Sequence, residues 1–379
     1  MPDPSSSPVS SQAGGSLSAS VGTLAAAFAI VGAARLMGGA SRRPVEAGDP
    51  VKPRGGQDEW TTRAAEPGRG RQAEHPVAIP PRGWWDIASR VFDSISRDRI
   101  LAVAAGVAFY GLLALFPAIG AFVALYGLVA DPATIAGHLT ALSGFLPDGA
   151  IDIVGEQVKR LASGGETALG VTFFVSFGIS LWSANAGMKA MFDALNVAYR
   201  EEEKRNIVVL NLWSLAFTFA AIAFLVLALV AVVVIPVVLQ FVGLGSMAGW
   251  IVWAGRWPAL ALLTFVAISI LYRYGASRRR ARWLWLSPGA IFATLGWMGV
   301  SMLFSWYVAN FGSYNETYGS LGAVIGFMTW MWLSATVVLV GAEISAETEH
   351  QTARDTTDGP PRPIGKRGAR MADSIGVGQ

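Results

Sequence analysis

Apolar residues occur along this chain in long blocks. Six stretches of about 20 residues or more, at 101–130, 169–197, 207–235, 257–274, 288–309 and 321–342, are separated by shorter polar connections. A bilayer core of roughly 30 Å takes about 20 apolar residues per helix, so each stretch predicts a transmembrane span. The runs are continuously apolar and do not alternate over ten-residue strands, which predicts helices and not a barrel. The expected fold is all-α, a polytopic transmembrane helix bundle with six core spans.

The flanks read differently. Residues 17–34 are apolar but built from Ala, Gly and Ser, with no Lys or Arg before them and Arg35, Arg42 and Arg43 after. Without a basic leading region this is a poor secretory signal peptide. Within the variable segment 1–40 it reads as an additional N-terminal span starting outside, the alternative being a disordered or interfacial stretch. Residues 41–82 are rich in Pro, Gly and mixed charge and are expected to form a disordered cytoplasmic linker. Trp84, Ala88, Val91 and Ile95 then recur at helical spacing opposite Asp86, Arg90, Asp93 and Arg97. This predicts an interfacial amphipathic helix opening a membrane domain at 83–347. The polar residues 348–379 are expected to be a disordered cytoplasmic tail.

Composition agrees with a lipid-solvated chain: 15% of residues are charged and 53% hydrophobic, with 14 Trp in 379. The zero Cys count excludes disulfides, thiolate metal sites and cysteine nucleophiles. Lys and Arg set the orientation. Residues 41–99 hold eleven of them, whereas 131–168 hold only Lys159 and Arg160 against five acids. Arg200, Lys204 and Arg205 mark the third connection as inside, and Arg273, Arg278, Arg279, Arg280 and Arg282 mark the fifth. The fourth carries only Arg256, and 310–320 carries neither Lys nor Arg, so both read as outside. The net charge of +3 therefore reflects topology and lipid-headgroup contact, and nucleic acid is not an expected partner.

Local signals refine the spans. Asp131-Pro132 and Ser287-Pro288 each predict a helix start, since a proline in the first turn lacks only an N–H with no helical partner. Pro117 should kink the first span. Ile151, Val154, Val158 and Leu161 predict a short helix along the outer surface. Residues 236–256 are apolar enough to dip into the membrane. Trp250, Trp253 and Trp257, and on the other side Trp283 and Trp285, fit aromatic belts.

Candidate chemistry lies where polar side chains enter the bilayer. In the second span Trp182 precedes Asn185, Lys189 and Asp193, spaced four apart, with Asn196 three further on and Tyr199 after it. These form one polar stripe beside the small-residue stripe of Ala186, Ala190 and Ala194. The small stripe admits a close helix neighbour, and the polar stripe should face protein or water because an ion in lipid costs several kcal/mol. It can be a transport lining, or Lys189 and Asp193 can form an i,i+4 ion pair that only holds the bundle. Tyr314, Asn315 and Tyr318 lie in the turn at 310–320, where Gly312 and Gly319 allow tight bends; they suit an interfacial turn as well as a site. Glu343, at the inner end of the last span, opposes the helix dipole and predicts a cationic partner such as Lys189 or Arg200.

Several of these segments together resemble the YihY/BrkB family of bacterial inner-membrane proteins, once labelled ribonuclease BN. The resemblance rests on Ala108-Phe109-Tyr110 with Phe116-Pro117, on Trp182-Ser183-Ala184, and on Ala194-Leu195-Asn196-Val197-Ala198-Tyr199. It continues through Arg256-Trp257-Pro258, Leu271-Tyr272-Arg273-Tyr274, Ser287-Pro288-Gly289-Ala290, Phe311-Gly312-Ser313-Tyr314-Asn315, Tyr318-Gly319-Ser320 and Gly341-Ala342-Glu343. It spans about residues 85–350 and leaves the first 80 residues outside. The resemblance implies six core helices with both ends of the core in the cytoplasm of a bacterial inner membrane, and implies little about mechanism.

Ribonuclease chemistry is disfavoured on other grounds. The three histidines, His75, His138 and His350, fall in the linker, an outer connection and the tail, too far apart for one metal site. No Gly-rich phosphate loop followed by Lys-Ser or Lys-Thr is present. The expectation is no enzyme, no cofactor and no metal, with membrane lipids as partners and homo-oligomer formation compatible with the chain. Two functions remain: a transporter or flippase-like protein for a lipid or small envelope solute, and a non-transporting scaffold for envelope integrity.

Overall fold

The computed structural model describes residues 57–127, 166–229, 246–310 and 320–379. The expected extra span at 17–34, the outer-surface helix at 151–161 and the turn carrying Tyr314, Asn315 and Tyr318 lie outside the described residues. Eight helices are described: α1 (Gln57–Ala64), α2 (Pro81–Arg97), α3 (Ile100–Gly127), α4 (Glu166–Ala198), α5 (Ile207–Leu229), α6 (Ser246–Tyr274), α7 (Trp283–Asn310) and α8 (Ser320–Glu349). Extended pairing among the described residues is confined to an isolated antiparallel bridge between Ala281 and Thr357. The protein is all-α, as its apolar blocks predict.

Among the described residues, four windows are long and apolar enough to cross a membrane: Ile207–Phe224, Trp257–Tyr274, Trp283–Tyr307 and Val324–Glu349. A fifth arises if α2 and the first half of α3, bent by 61°, form one broken span. Helix α4 is 33 residues long, but its second half carries the polar stripe. The bend between α2 and α3 falls at Asp98 and Arg99, where Arg99 adopts a left-handed φ of 51°.

Two helix starts differ from expectation. Helix α6 begins at Ser246, so 246–256 extend the span as continuous helix. Helix α7 begins at Trp283, which places Pro288 inside it. Pro288 has no N–H to give the carbonyl of Leu284. The Ser287 hydroxyl donates to that carbonyl instead at 2.8 Å, so the helix starts a turn earlier than the Ser-Pro signal implies.

The long helices form a row in the order α5, α4, α3, α8, α7, α6, with α8 also touching α2 and α4. Small residues set the closest approach. A Cβ on Gly289 of α7 would collide with the Gly341 carbonyl of α8, and one on Gly341 with the Gly289 carbonyl. Ser345 donates across the same seam to the Leu286 carbonyl at 3.2 Å. Between helices in lipid, close packing and hydrogen bonds replace the hydrophobic effect, which makes this glycine contact central. Fully buried side chains, including Leu195, Tyr199, Tyr272, Leu286 and Leu339, gather toward the arginine-rich end. There the two ends of the row also meet: Trp213 of α5 donates its indole N–H to the Tyr274 carbonyl at 3.0 Å.

The arginine-rich end carries the main corrections. Residues 348–379, read from the sequence as a disordered tail, are packed, with Thr348, Glu349, Gln351, Thr352, Thr356 and Thr357 each at 0% exposure. The described part of the linker is ordered too: Arg71, Ala73 and Ile79 are buried. Paired charges and backbone bonds do the ordering that sparse apolar residues could not. Arg71 reaches Glu66 at 2.7 Å, the Ala353 N–H donates to the Arg71 carbonyl at 2.8 Å, and Thr352 donates to the Ala73 carbonyl at 2.8 Å. Helix α2 is consequently packed against protein on part of its expected polar face as well as on its apolar one. Trp84, Ile87, Ala88 and Val91 are buried as an apolar face, and Asp86 and Arg90 on the expected polar face are buried beneath the tail. Trp285, expected in an aromatic belt, is 1% exposed and packs with Trp84, Ile87 and Ile344. Trp283 remains half exposed.

Candidate functional site

The stripe on α4 divides into two hydrogen-bonded asparagines and two charges without a partner among the described residues. Asn185 accepts a hydrogen bond from Ser214 of α5 at 2.6 Å. Asn196, 3% exposed, donates to Glu203 at 3.1 Å and accepts from the Ser277 backbone N–H at 2.7 Å, stitching α4 to both neighbouring connections. Lys189 is half-buried and Asp193 exposed, and no ion pair joins them among the described residues. The i,i+4 ion pair offered by the sequence is therefore not formed. Asp193 lies five residues before the end of α4, about 8 Å along the axis. That depth allows its carboxylate to face headgroups, and the Lys189 stem is long enough to follow it.

Trp182 is 80% exposed on the side of α4. Tyr199 is fully buried at the other extreme, its ring covered by the Arg278 guanidinium at 3.8 Å. Burial raises the Tyr199 hydroxyl well above its ordinary pKa. Beyond it the chain turns on Arg200, at a left-handed φ of 54°. The Glu201 N–H reaches the Asn196 carbonyl and the Arg200 N–H the Val197 carbonyl, a helix stop that normally takes glycine. Arginine occupies it because its side chain reaches Glu347 at 3.1 Å and Ser94 at 3.3 Å.

Sequence reasoning missed the network around Glu347. This carboxylate, at 0% exposure, accepts from Arg90 at 2.6 Å, Arg200 at 3.1 Å and His350 at 3.2 Å. Arg90 continues to the Gln351 side chain at 2.7 Å and the Val377 carbonyl at 3.0 Å. Burial pushes the His350 imidazole below its ordinary pKa, only partly opposed by Glu347. Nearby, Glu349 takes both guanidinium arms of Arg278, at 2.9 and 2.8 Å. Burial works against that guanidinium, yet Glu349 prevails and holds its pKa above the usual value. Glu203, by Arg205, shows the same contest for an acid: burial would raise it, but hydrogen bonds from Arg205 and Asn196 bring it down to about 2.

Glu343 departs from expectation. It is at 0% exposure, meets neither Lys189 nor Arg200 in an ion pair, and neither carboxylate oxygen has a hydrogen-bond partner among the described residues. Three cavities, of about 330, 680 and 830 Å³, lie at the arginine-rich end, and Lys189 lines none of them.

Long apolar helices closed at one end by buried charge pairs define a helical multi-pass membrane protein. The chain belongs to the virulence factor BrkB family, whose model matches residues 91–364. It is 33% identical over 249 residues to YfkH of Bacillus subtilis, whose name calls it ribonuclease-like, covering 64% of this chain and 87% of that one. It is 26% identical to the UPF0761 membrane protein PSHAa0171 of Pseudoalteromonas translucida, over 73% of this chain and 89% of the relative. It is 27% identical to the UPF0761 membrane protein PBPRA3489 of Photobacterium profundum, over 70% and 82%. No solved structure matches the chain.

Proposed function

We propose that this BrkB-family protein sits in the bacterial cytoplasmic membrane with its arginine-rich end inward. In this reading it is not an enzyme and acts as a transporter or flippase-like protein for a lipid or small envelope solute. The observation that carries the reading is the pair Lys189 and Asp193, one helical turn apart on α4, without partners among the described residues where the neighbouring Asn185 and Asn196 are hydrogen-bonded. At headgroup depth, charges kept unpaired on a membrane helix can engage a polar ligand such as a lipid headgroup. Trp182 extends the same side of the helix with an amphipathic ring. The inward orientation is supported by the excess of Lys and Arg at that end.

The scaffold reading is favoured by one observation of its own. The charge network around Glu347 is built to hold helices and termini together, and Asn196 serves the same end. Reconstitution separates the two. The purified full chain in liposomes is assayed for lipid scrambling and solute flux, alongside Lys189→Met with Asp193→Leu. Flux that the double substitution abolishes supports transport. Absence of flux in the wild type, with the double variant folded and cells unaffected, removes the transport reading and leaves the scaffold.

A further inference from the structure

The cavity of about 330 Å³ between α5, α6 and the tail is lined by Lys204, Arg205, Arg273, Arg278, Arg279 and Arg280, with no carboxylate among its lining residues. Four of these cations are held from behind by acids: Lys204 by Glu201 at 2.8 Å, Arg205 by Glu203 at 2.7 Å, Arg273 by Asp358 at 2.8 Å and Arg278 by Glu349 at 2.8 Å. Arg279 and Arg280 have no acidic partner among the described residues. Arg279 donates one arm to the Asp358 carbonyl, and Arg280 stands 4.9 Å over the Tyr274 ring. Two formal positive charges thus remain uncompensated around one small volume.

Some guanidinium donors around the cavity are also unsatisfied. The Nη1 of Arg279 and the Nε atoms of Arg273 and Arg278 are buried without an acceptor. A buried N–H with no acceptor is unfavourable, and guanidinium groups match the oxygens of a phosphate in geometry as well as charge. Trp213 and Tyr274 complete the lining, their rings 6.5 Å apart, as amphipathic side chains do at headgroup depth. Directly beside the cavity α5 begins, with Ile207, Val208 and Leu212 at 77, 64 and 64% exposure. This apolar surface offers acyl chains a path away from a headgroup seated among the arginines.

We propose that this cavity binds the phosphate of an anionic phospholipid headgroup, with Arg279 and Arg280 as its charge-compensating residues. The assignment does not depend on whether anything is transported. Free phosphate shares the chemistry but not the apolar flank, so the two sources are distinguishable.

The test uses the detergent-purified full chain, with binding of short-chain phosphatidylglycerol, short-chain phosphatidylcholine and inorganic phosphate measured separately. Phosphatidylglycerol is expected to bind best, and Arg279→Ala with Arg280→Ala to weaken it about thirtyfold, as loss of two headgroup-facing cations implies. A control that removes two exposed charges elsewhere, Arg82→Ala with Arg362→Ala, should leave binding unchanged. Should the cavity variant unfold, Arg280→Glu alone, at an exposed position, is expected to lower binding in the same direction. Equal binding by wild type and folded cavity variants, an equal loss in the control, or inorganic phosphate binding as tightly as the lipid would each overturn the proposal.

Discussion

At the arginine-rich end, Arg90, Arg200 and His350 converge on a carboxylate with no exposure, whereas less than two turns back along the same helix α8 meets α7 through glycine backbones. The first region holds by charge compensation over long sequence separations, Arg90 and Glu347 being 257 residues apart. The second holds by the absence of side chains. Removing one charge from the first leaves others buried without compensation, while adding bulk to the second pushes two helices apart. The two regions should therefore respond oppositely to truncation and enlargement.

The largest effect is expected from Glu347→Ala. It strands Arg90 and Arg200 in a buried setting and should cost about 3–5 kcal/mol, read as a fall in the melting midpoint of the purified protein. Gly341→Leu should cost about 1–3 kcal/mol by overpacking the α7–α8 seam, whereas Glu347→Gln, which keeps the shape, should be milder than the alanine change. Breaking the Arg278 and Glu349 pair one residue at a time should destabilise more than replacing both with Met and Leu, because the double change leaves no lone buried charge. Unfolding of the three variants in a matched detergent checks the order.

Smaller effects sharpen the contrast. Asp193→Leu, at an exposed position with no partner, should leave stability within about 0.5 kcal/mol. Glu203 gives a pH signature. Its folded-state pKa of about 2 lies below the ordinary 4.5, so its contribution is present above about 4.5 and lost as pH falls toward 2. Glu203→Gln should flatten that part of the stability profile.

The spans were legible because lipid imposes a length: the apolar run at 207–235 reads directly as α5, beginning at the expected Ile207. Trp84, Ala88 and Val91 were likewise legible as the apolar face of a helix, although that face was expected at the membrane interface. Asp86 and Arg90 were not, since nothing local tells an exposed charge from one that a segment more than 250 residues away will cover. The folded tail was illegible for the same reason, because composition measures apolar content and this tail is ordered by partners such as the Arg71 and Thr352 contacts. On α4 the spacing located the polar residues, but which of them found partners depended on Ser214 and Ser277, which a helical stripe does not specify.

The segments flanking the membrane helices fold against their arginine-rich end as one charge-compensated base. Hydrogen exchange of the purified full chain tests it at Ala353 and Gly376, whose N–H groups donate to the Arg71 and His350 carbonyls at 2.8 Å. Slow exchange is expected at both, lost in Glu347→Ala while α7 and α8 stay protected. Immediate exchange across 350–379 in the wild type would contradict it.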